Sequence, residues 1–305
     1  MLSCLDKAAF LVLVLVVALE GRGAMKIVAT IAGSDSGGGA GIQADLRSIS
    51  ANGGFGVSVL TAVTAQNTRA VTAAEELSVE MIEAQFDAVF TDMTVAAAKT
   101  GMLASTRVIE AVERGLRKYA PPFYVLDPVM VSTTGYSLLA DDAKQKLRER
   151  LFPLATVITP NVYEVEALTG RSVRSLKEAE EAGKQLLREG ASAVVVKGGH
   201  LLEEKAADLL VTRDGAEAVR GEWIETKHTH GTGCTYSAAI ATQLARGKTL
   251  LEAVKLSKAY VTEAIRGGLP IGHGSGPTDH FFYLRRDDSE EWVRRLALRE
   301  SEGEW

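Results

Sequence analysis

Three stretches of this 305-residue chain put glycines where backbone amides can meet an anion. The first is Gly33-Ser34-Asp35-Ser36-Gly37-Gly38-Gly39-Ala40-Gly41, between a strand-like and a helix-like segment, where unpaired helix-start N–H groups can face a ligand. The second is His230-Gly231-Thr232-Gly233-Cys234-Thr235-Tyr236, a turn opening an apolar helix. Gly231 and Gly233 leave the amides of residues 232 to 235 able to converge on one oxygen anion, helped by about half a positive charge from the helix dipole. The same field is expected to lower the pKa of Cys234 and favour its thiolate. The third is Val194-Val195-Val196-Lys197-Gly198-Gly199-His200, which sets the Lys197 cation at the end of a strand, where open α/β sheets bind ligands. A solvated strand-end lysine is the plainer alternative.

Carboxylates complete the set. Asp127-Pro128 closes the run Phe123 to Leu126, and Thr159-Pro160-Asn161-Val162-Tyr163-Glu164 follows the next. Asn161 and Glu164, three apart, share one side of a first helical turn and could hold a hydrated Mg²⁺ through its waters. They equally suit an N-cap and a first-turn acid. Amides for phosphate, a strand-end lysine, a metal-holding pair and a poised base together describe phosphoryl transfer, where positioning and charge neutralisation supply most of the catalysis. Gly39-Ala40-Gly41-Ile42-Gln43-Ala44 also satisfies a relaxed dinucleotide pattern, but the segment Thr61 to Asn67 carries no acid to hold a ribose. A Walker loop is excluded because no glycine-lysine-Ser/Thr follows four free positions.

The elements that must position these groups alternate strand and helix. Apolar runs at Ile27 to Ala32, Val57 to Val63, Phe123 to Leu126, Val157 to Ile158 and Ala193 to Val196 read as buried strands. Between them Ile42, Leu46 and Ile49, then Val79, Ile82, Phe86 and Val89, then Val108, Val112 and Leu116 recur at helical spacing. Ser175 and Glu178 form a capping box ahead of Leu186 and Leu187. Continuously apolar strands require helices on both faces of a mostly parallel sheet. Leu209 to Thr212 and Ala218 to Ile224, around Arg213-Asp214-Gly215, read as a hairpin at an antiparallel edge. One α/β domain is expected over residues 25–280.

Composition agrees: 46% hydrophobic and 24% charged residues describe a globular chain. With 34 Lys+Arg against 39 Asp+Glu, no overall positive field exists to hold nucleic acid. Cys4 and Cys234, far apart in sequence, form no CxxC pair and suit a reduced, cytoplasmic protein. Ala8 to Leu19 is an apolar run of twelve, short of the roughly 18 to 20 residues that span a bilayer. It reads either as a signal peptide or, given Asp6 beside Lys7 ahead of it, as an extension before a true start at Met25. No membrane partner is expected. The segment 281–305, dense in charge around Trp292, Leu296 and Trp305, reads as a solvated helical tail.

The ordered set Thr30 to Leu46, Thr64-Ala65-Gln66-Asn67-Thr68, Lys99-Thr100-Gly101-Met102-Leu103, Asp127-Pro128-Val129-Met130, Thr159-Pro160-Asn161, Lys197-Gly198-Gly199-His200 and Thr229-His230-Gly231-Thr232-Gly233-Cys234-Thr235 resembles hydroxymethylpyrimidine/phosphomethylpyrimidine kinase of thiamine biosynthesis. The resemblance covers Met25 to His280. It implies a ribokinase-like three-layer αβα fold, ATP and Mg²⁺ as cofactors, two successive phosphorylations of a small pyrimidine, and a homodimer. By motif, Gln66 would read the aminopyrimidine edge, Asp45 and Gly33 would surround the hydroxymethyl end, and Met102 and Val129 would wall the ring. Cys234, in the turn with Gly231 and Gly233, would take the hydroxyl proton. Lys197, Thr232 and Asp127 would face ATP, and Asn161 and Glu164 the magnesium. Gly37 departs from the family, many of whose members carry a second serine there. Pyridoxal/pyridoxine kinase is the nearest competing family, and a catalytically silent ligand-sensing domain or a secreted binding protein are more remote alternatives.

Overall fold

The computed structural model describes residues 25–131, 138–199 and 204–285. The apolar leader, His200 and the tail from residue 286 onward lie outside these residues. Nine strands form one sheet in the order β3-β2-β1-β4-β5-β6-β7-β8-β9. They are β1 (Lys26–Asp35), β2 (Gly54–Gln66), β3 (Val71–Glu76), β4 (Val95–Thr100), β5 (Phe123–Leu126), β6 (Val157–Ile158), β7 (Val194–Val196), β8 (Ala207–Thr212) and β9 (Gly215–Arg220). β2, β1, β4, β5, β6 and β7 run parallel, while β3 pairs antiparallel with β2 at one edge and, at the other, β8 pairs antiparallel with β7 and β9 with β8.

Eight helices are described: α1 (Gly41–Ala51), α2 (Val79–Phe90), α3 (Thr106–Tyr119), α4 (Asp141–Arg150), α5 (Val162–Thr169), α6 (Leu176–Arg188), α7 (Thr232–Ala245) and α8 (Leu250–Arg266). Side chains alternate along each strand, so one sheet feeds two cores. Ile31, Leu126, Ile158, Val194 and Val196 meet the buried faces of α2 to α6. Val28, Val125, Val157 and Val195 meet Ile49 of α1, Ile240 of α7 and Val254 of α8. This is the three-layer αβα architecture expected. Starts are set locally: Ser78 accepts from Met81 N–H, and Asn161, Ser175 and Thr249 each form a capping box.

The strands Phe123–Leu126 and Val157–Ile158 have the bounds expected of them. The hairpin does not: its second strand starts at Gly215 and ends at Arg220, because Thr212 pairs with Gly215 across a two-residue turn. The strands β3 and β4 were not foreseen. At the start of the charged tail, Phe282–Arg285 forms a single 3₁₀ turn whose Phe282 ring lies 6.0 Å from Tyr260. Among the described residues no helix is long and apolar enough to cross a membrane.

Candidate active site

The groups picked out from the sequence gather at the carboxyl ends of the parallel strands, around the place where the chain reverses direction across the sheet from β1–β2 to β1–β4. On one side, Asp127 follows β5, Thr159 and Asn161 follow β6, and Lys197 follows β7. Lys197 Nζ donates to Asp127 Oδ1 at 2.8 Å and lies 3.9 Å from Glu164 Oε2. Asp127 is buried and also accepts from Thr159 and from Ser237 of α7, each at 3.2 Å. Burial alone would raise its carboxyl, but the Lys197 and Lys99 charges outweigh that and hold it below its ordinary value. For Glu164 burial wins, with the Lys197 charge opposing it, and its carboxyl is pushed up to about 7. The start of α7 closes over this pair: a Cβ built on Gly233 would sit 3.3 Å from Lys197 Nζ and 3.6 Å from Asp127 Oδ2.

The glycine turn is half committed to itself. Thr232 N–H and its hydroxyl both donate to Thr229 O, and Thr235 N–H donates to Gly231 O at 2.9 Å. Among the described residues no acceptor faces the amides of Gly233 and Cys234, so two N–H groups, not four, are left for an anion. Thr232 therefore builds the turn. Gly231 adopts φ +80, and a Cβ there would fall on Gly39 O, so the two glycine loops touch.

Cys234 is half-buried at this junction. Gly41 N–H faces its sulfur and the Lys99 charge favours the thiolate, yet burial dominates and pushes the thiol up to about 11. This reverses the expected lowering: the helix field is real, but desolvation of a thiolate among Asp45 and Asp127 exceeds it. Asp45 needs a second correction. It is fully enclosed, with both oxygens 2.8 Å from the equally enclosed Lys99 Nζ, and Oδ2 accepts from Thr30 at 2.6 Å. It meets the site through that ion pair and not as an open ligand for a hydroxymethyl group.

The opposite side collects the remaining groups. Gly33 ends within reach of Met102, whose Sδ would lie 3.1 Å from a Cβ at that glycine. Gln66 closes β2, half-buried, its backbone N–H donating to Ser36 Oγ at 2.9 Å and the end of its side-chain amide lying 3.1 Å from Thr64 Oγ1. Val129, half-buried, donates its N–H to Asp127 O at 2.9 Å. Two residues given no role from sequence are central here. Asp35 accepts N–H bonds from Gly37, Gly39 and Ala40, which bind the first glycine loop around one carboxylate, and His230 Nε2 lies 3.0 Å from its Oδ2. Against burial, these bonds hold the Asp35 carboxyl below its ordinary value. An acid two residues after a strand-end glycine was the available signal for this clasp.

Asn161 and Glu164 satisfy each other: Asn161 Oδ1 accepts Glu164 N–H at 2.9 Å and Glu164 Oε2 accepts Asn161 N–H at 2.7 Å. Among the described residues no group of three His, Cys, Asp or Glu could hold a metal directly. What is present suits a hydrated cation. The buried Glu164 carboxyl, raised beside Asp127, is a group that a nearby dication would return to its charged form.

The phosphomethylpyrimidine kinase family model matches residues 35–279. This chain belongs to that family. It is 51% identical over 265 residues to the hydroxymethylpyrimidine/phosphomethylpyrimidine kinase of Rhizobium meliloti, covering 86% of this chain and 99% of the relative. It is 45% identical over 257 residues to the enzyme of the same name from Bacillus subtilis, covering 84% and 95%. Among solved structures, the phosphomethylpyrimidine kinase of Clostridium difficile superposes with TM-score 0.71 at 44% identity over 79% of this chain and 99% of that one. A Bacillus subtilis pyridoxal kinase solved with ADP gives TM-score 0.80 at 37% identity, over 86% and 100%. The phosphomethylpyrimidine kinase fold therefore spans both relatives, and the greater sequence identity lies with the pyrimidine kinases.

Proposed function

We propose that this chain is an ATP-dependent kinase of thiamine biosynthesis that phosphorylates 4-amino-5-hydroxymethyl-2-methylpyrimidine on its hydroxymethyl oxygen and then phosphorylates the resulting monophosphate. The observation that carries the reading is the closure of the Gly233 turn over the Lys197–Asp127 pair, with Cys234 at the same helix start. Lys197 neutralises phosphate charge, and the amides of Gly233 and Cys234 receive the equatorial oxygens of the migrating group. The hydroxymethyl oxygen attacks the γ-phosphorus, the bond to the bridging oxygen breaks, and ADP leaves. The hydroxyl proton passes to Cys234 when its sulfur is ionised.

Asn161 and Glu164 would hold Mg²⁺ through its waters, and the bound ion would supply charge neutralisation at the phosphates. Gln66 would read the aminopyrimidine edge through its amide donor and acceptor. Met102 and Val129 would wall the ring. The family resemblance supports a homodimer, for which light scattering should give twice the chain's mass, and residence in the cytoplasm.

The test is an ATP-consumption assay against hydroxymethylpyrimidine, its monophosphate and pyridoxine, with product masses measured. Sequential gain of two phosphoryl groups by the pyrimidine supports the reading. Turnover of pyridoxine with none of the pyrimidine overturns it in favour of a pyridoxine kinase.

A further inference from the structure

The inner wall beside Gln66 holds a contact that its atoms do not tolerate as they stand. His230 Nε2 lies 3.0 Å from Asp35 Oδ2 and 3.4 Å from Gln66 Nε2. Asp35 is a carboxylate, an acceptor only, so the hydrogen on this bond belongs to His230 Nε2. A ring nitrogen that donates cannot accept from an amide N–H, which leaves two donors facing each other. The other end of the amide has the matching difficulty. Thr64 Oγ1 carries one hydrogen and reaches both Ser34 O at 2.9 Å and Gln66 Oε1 at 3.1 Å, and the shorter bond to the carbonyl takes it. Rotating the Gln66 amide by 180° relieves both ends together: Oε1 in place of an N–H then faces His230 Nε2 and shares its one hydrogen, held chiefly by the nearer Asp35 Oδ2, and the amide nitrogen donates to Thr64 Oγ1.

We propose that His230, held by Asp35, is the positioning residue that fixes the polarity of the Gln66 amide, and thereby selects a ring that offers a neighbouring acceptor and amino donor in one order only. This rests on the reading of Gln66 as the residue that meets the pyrimidine. His230 is well placed for it. It is buried, its backbone N–H donates to Gly276 O at 3.1 Å, and Gly39 packs so closely on the ring edge that a Cβ there would collide with Cδ2. The Asp35 bond and the close approach of Gly39 orient the ring, so that its one hydrogen lies between Asp35 and the amide. A glutamine amide free to rotate would present both orders and discriminate neither.

The full-length enzyme tests this with His230→Gln, which keeps an N–H near the Nε2 position, His230→Phe, which removes it, and Gln66→Ala. His230→Phe should raise the Michaelis constant for hydroxymethylpyrimidine by about tenfold while that for ATP stays within about twofold, and should lower the pyrimidine-over-pyridoxine ratio of kcat/KM by about tenfold. His230→Gln should recover most of both. Nitrogen-15 NMR of the histidine-labelled wild type should find His230 as the Nε2–H tautomer, a readout independent of whether His230→Phe folds. An Nδ1–H tautomer, an unchanged selectivity ratio, or equal rises in both Michaelis constants would overturn the inference. If Gln66→Ala leaves the pyrimidine constant unmoved, the reading of Gln66 falls and this inference with it. If Gln66→Ala raises that constant and His230→Phe does not, this inference alone falls.

Discussion

Lys197 Nζ sits 2.8 Å from Asp127 Oδ1, joining the loops after β7 and β5 beneath the start of α7. Each keeps the other charged: burial works against the Lys197 ammonium, and the Asp127 and Glu164 carboxylates raise it above its ordinary value. Lys197→Met removes the cation that faces phosphate and strands a buried carboxylate. Turnover should fall by about 10²-fold, the scale of a lost electrostatic donor, with a raised Michaelis constant for ATP. Breaking such a buried pair should also destabilise the fold by about 3 kcal/mol. Steady-state kinetics and urea unfolding check both. An unchanged ATP constant would remove Lys197 from the nucleotide side.

The Cys234 thiol, pushed up to about 11 by burial, is mostly protonated near neutral pH in the free enzyme. Alkylation by iodoacetamide should therefore be slow at pH 7 and speed up about tenfold for each pH unit, levelling only near 11, because the thiolate is the nucleophile. Mass spectrometry assigns the modified cysteine. Cys234→Ala should lower turnover by about 10²-fold or more, the contribution of a general base, with ATP affinity largely kept. Rapid labelling at pH 7 that does not change with pH would contradict the burial assignment, and a fully active alanine variant would contradict the base.

What could be read from the sequence follows from how local each signal is. The runs at Phe123 to Leu126 and Val157 to Ile158 are short, wholly apolar and buried on both faces, so pattern alone located them. β4 reads Val-Ala-Ala-Ala-Lys-Thr, a composition that favours helix, and becomes a strand because β1 and β5 flank it on both sides. β3 is mostly exposed and, among the described residues, pairs with β2 alone, so it carries no buried run to find. At the site, Lys197 and Asp127 were legible as strand ends. The Asp35–His230 clasp and the Asp45–Lys99 pair join residues from separate loops and strands, and nothing in the local sequence links their partners. The Cys234 shift escapes the sequence for the same reason: a helix start is visible in sequence, whereas the density of atoms around a sulfur is not.

Gly231 makes a backbone demand that substitution exposes. Its φ of +80 lies in the left-handed region, and a Cβ there would fall on Gly39 O. Gly231→Ala must either push the two glycine loops apart or unwind the first turn of α7. Strain of about 1–3 kcal/mol is expected from the dihedral alone. The melting temperature should drop by roughly 2 to 12 °C, since each kcal/mol shifts a domain of this size by about 2 to 4 °C. Turnover should fall with it, because the Gly233 and Cys234 amides move off the phosphate. Gly247→Ala, also at positive φ but in open space, should show the dihedral strain without the loss of turnover.

Glu164 links the site to a pH signature of stability. Its carboxyl is raised from 4.5 to about 7, burial being the larger cause, so between those values the folded state binds a proton that the unfolded state has released. Stability then falls as pH rises through that window, since its slope follows the protons bound unfolded minus those bound folded. Above about pH 7 the full penalty of the buried charge is present. Glu164→Gln removes the titration but keeps the α5 capping box, because glutamine at that position still accepts the Asn161 N–H. The variant's advantage over wild type in urea unfolding should therefore grow between pH 4.5 and 7.5, reaching about 3 kcal/mol at one unit per 1.36 kcal/mol. Parallel curves for the two proteins across that range would mean that Glu164 titrates as an ordinary carboxylate. Added Mg²⁺ with a nonhydrolysable ATP analogue should reverse the trend in wild type alone, by favouring the charged form that the variant lacks.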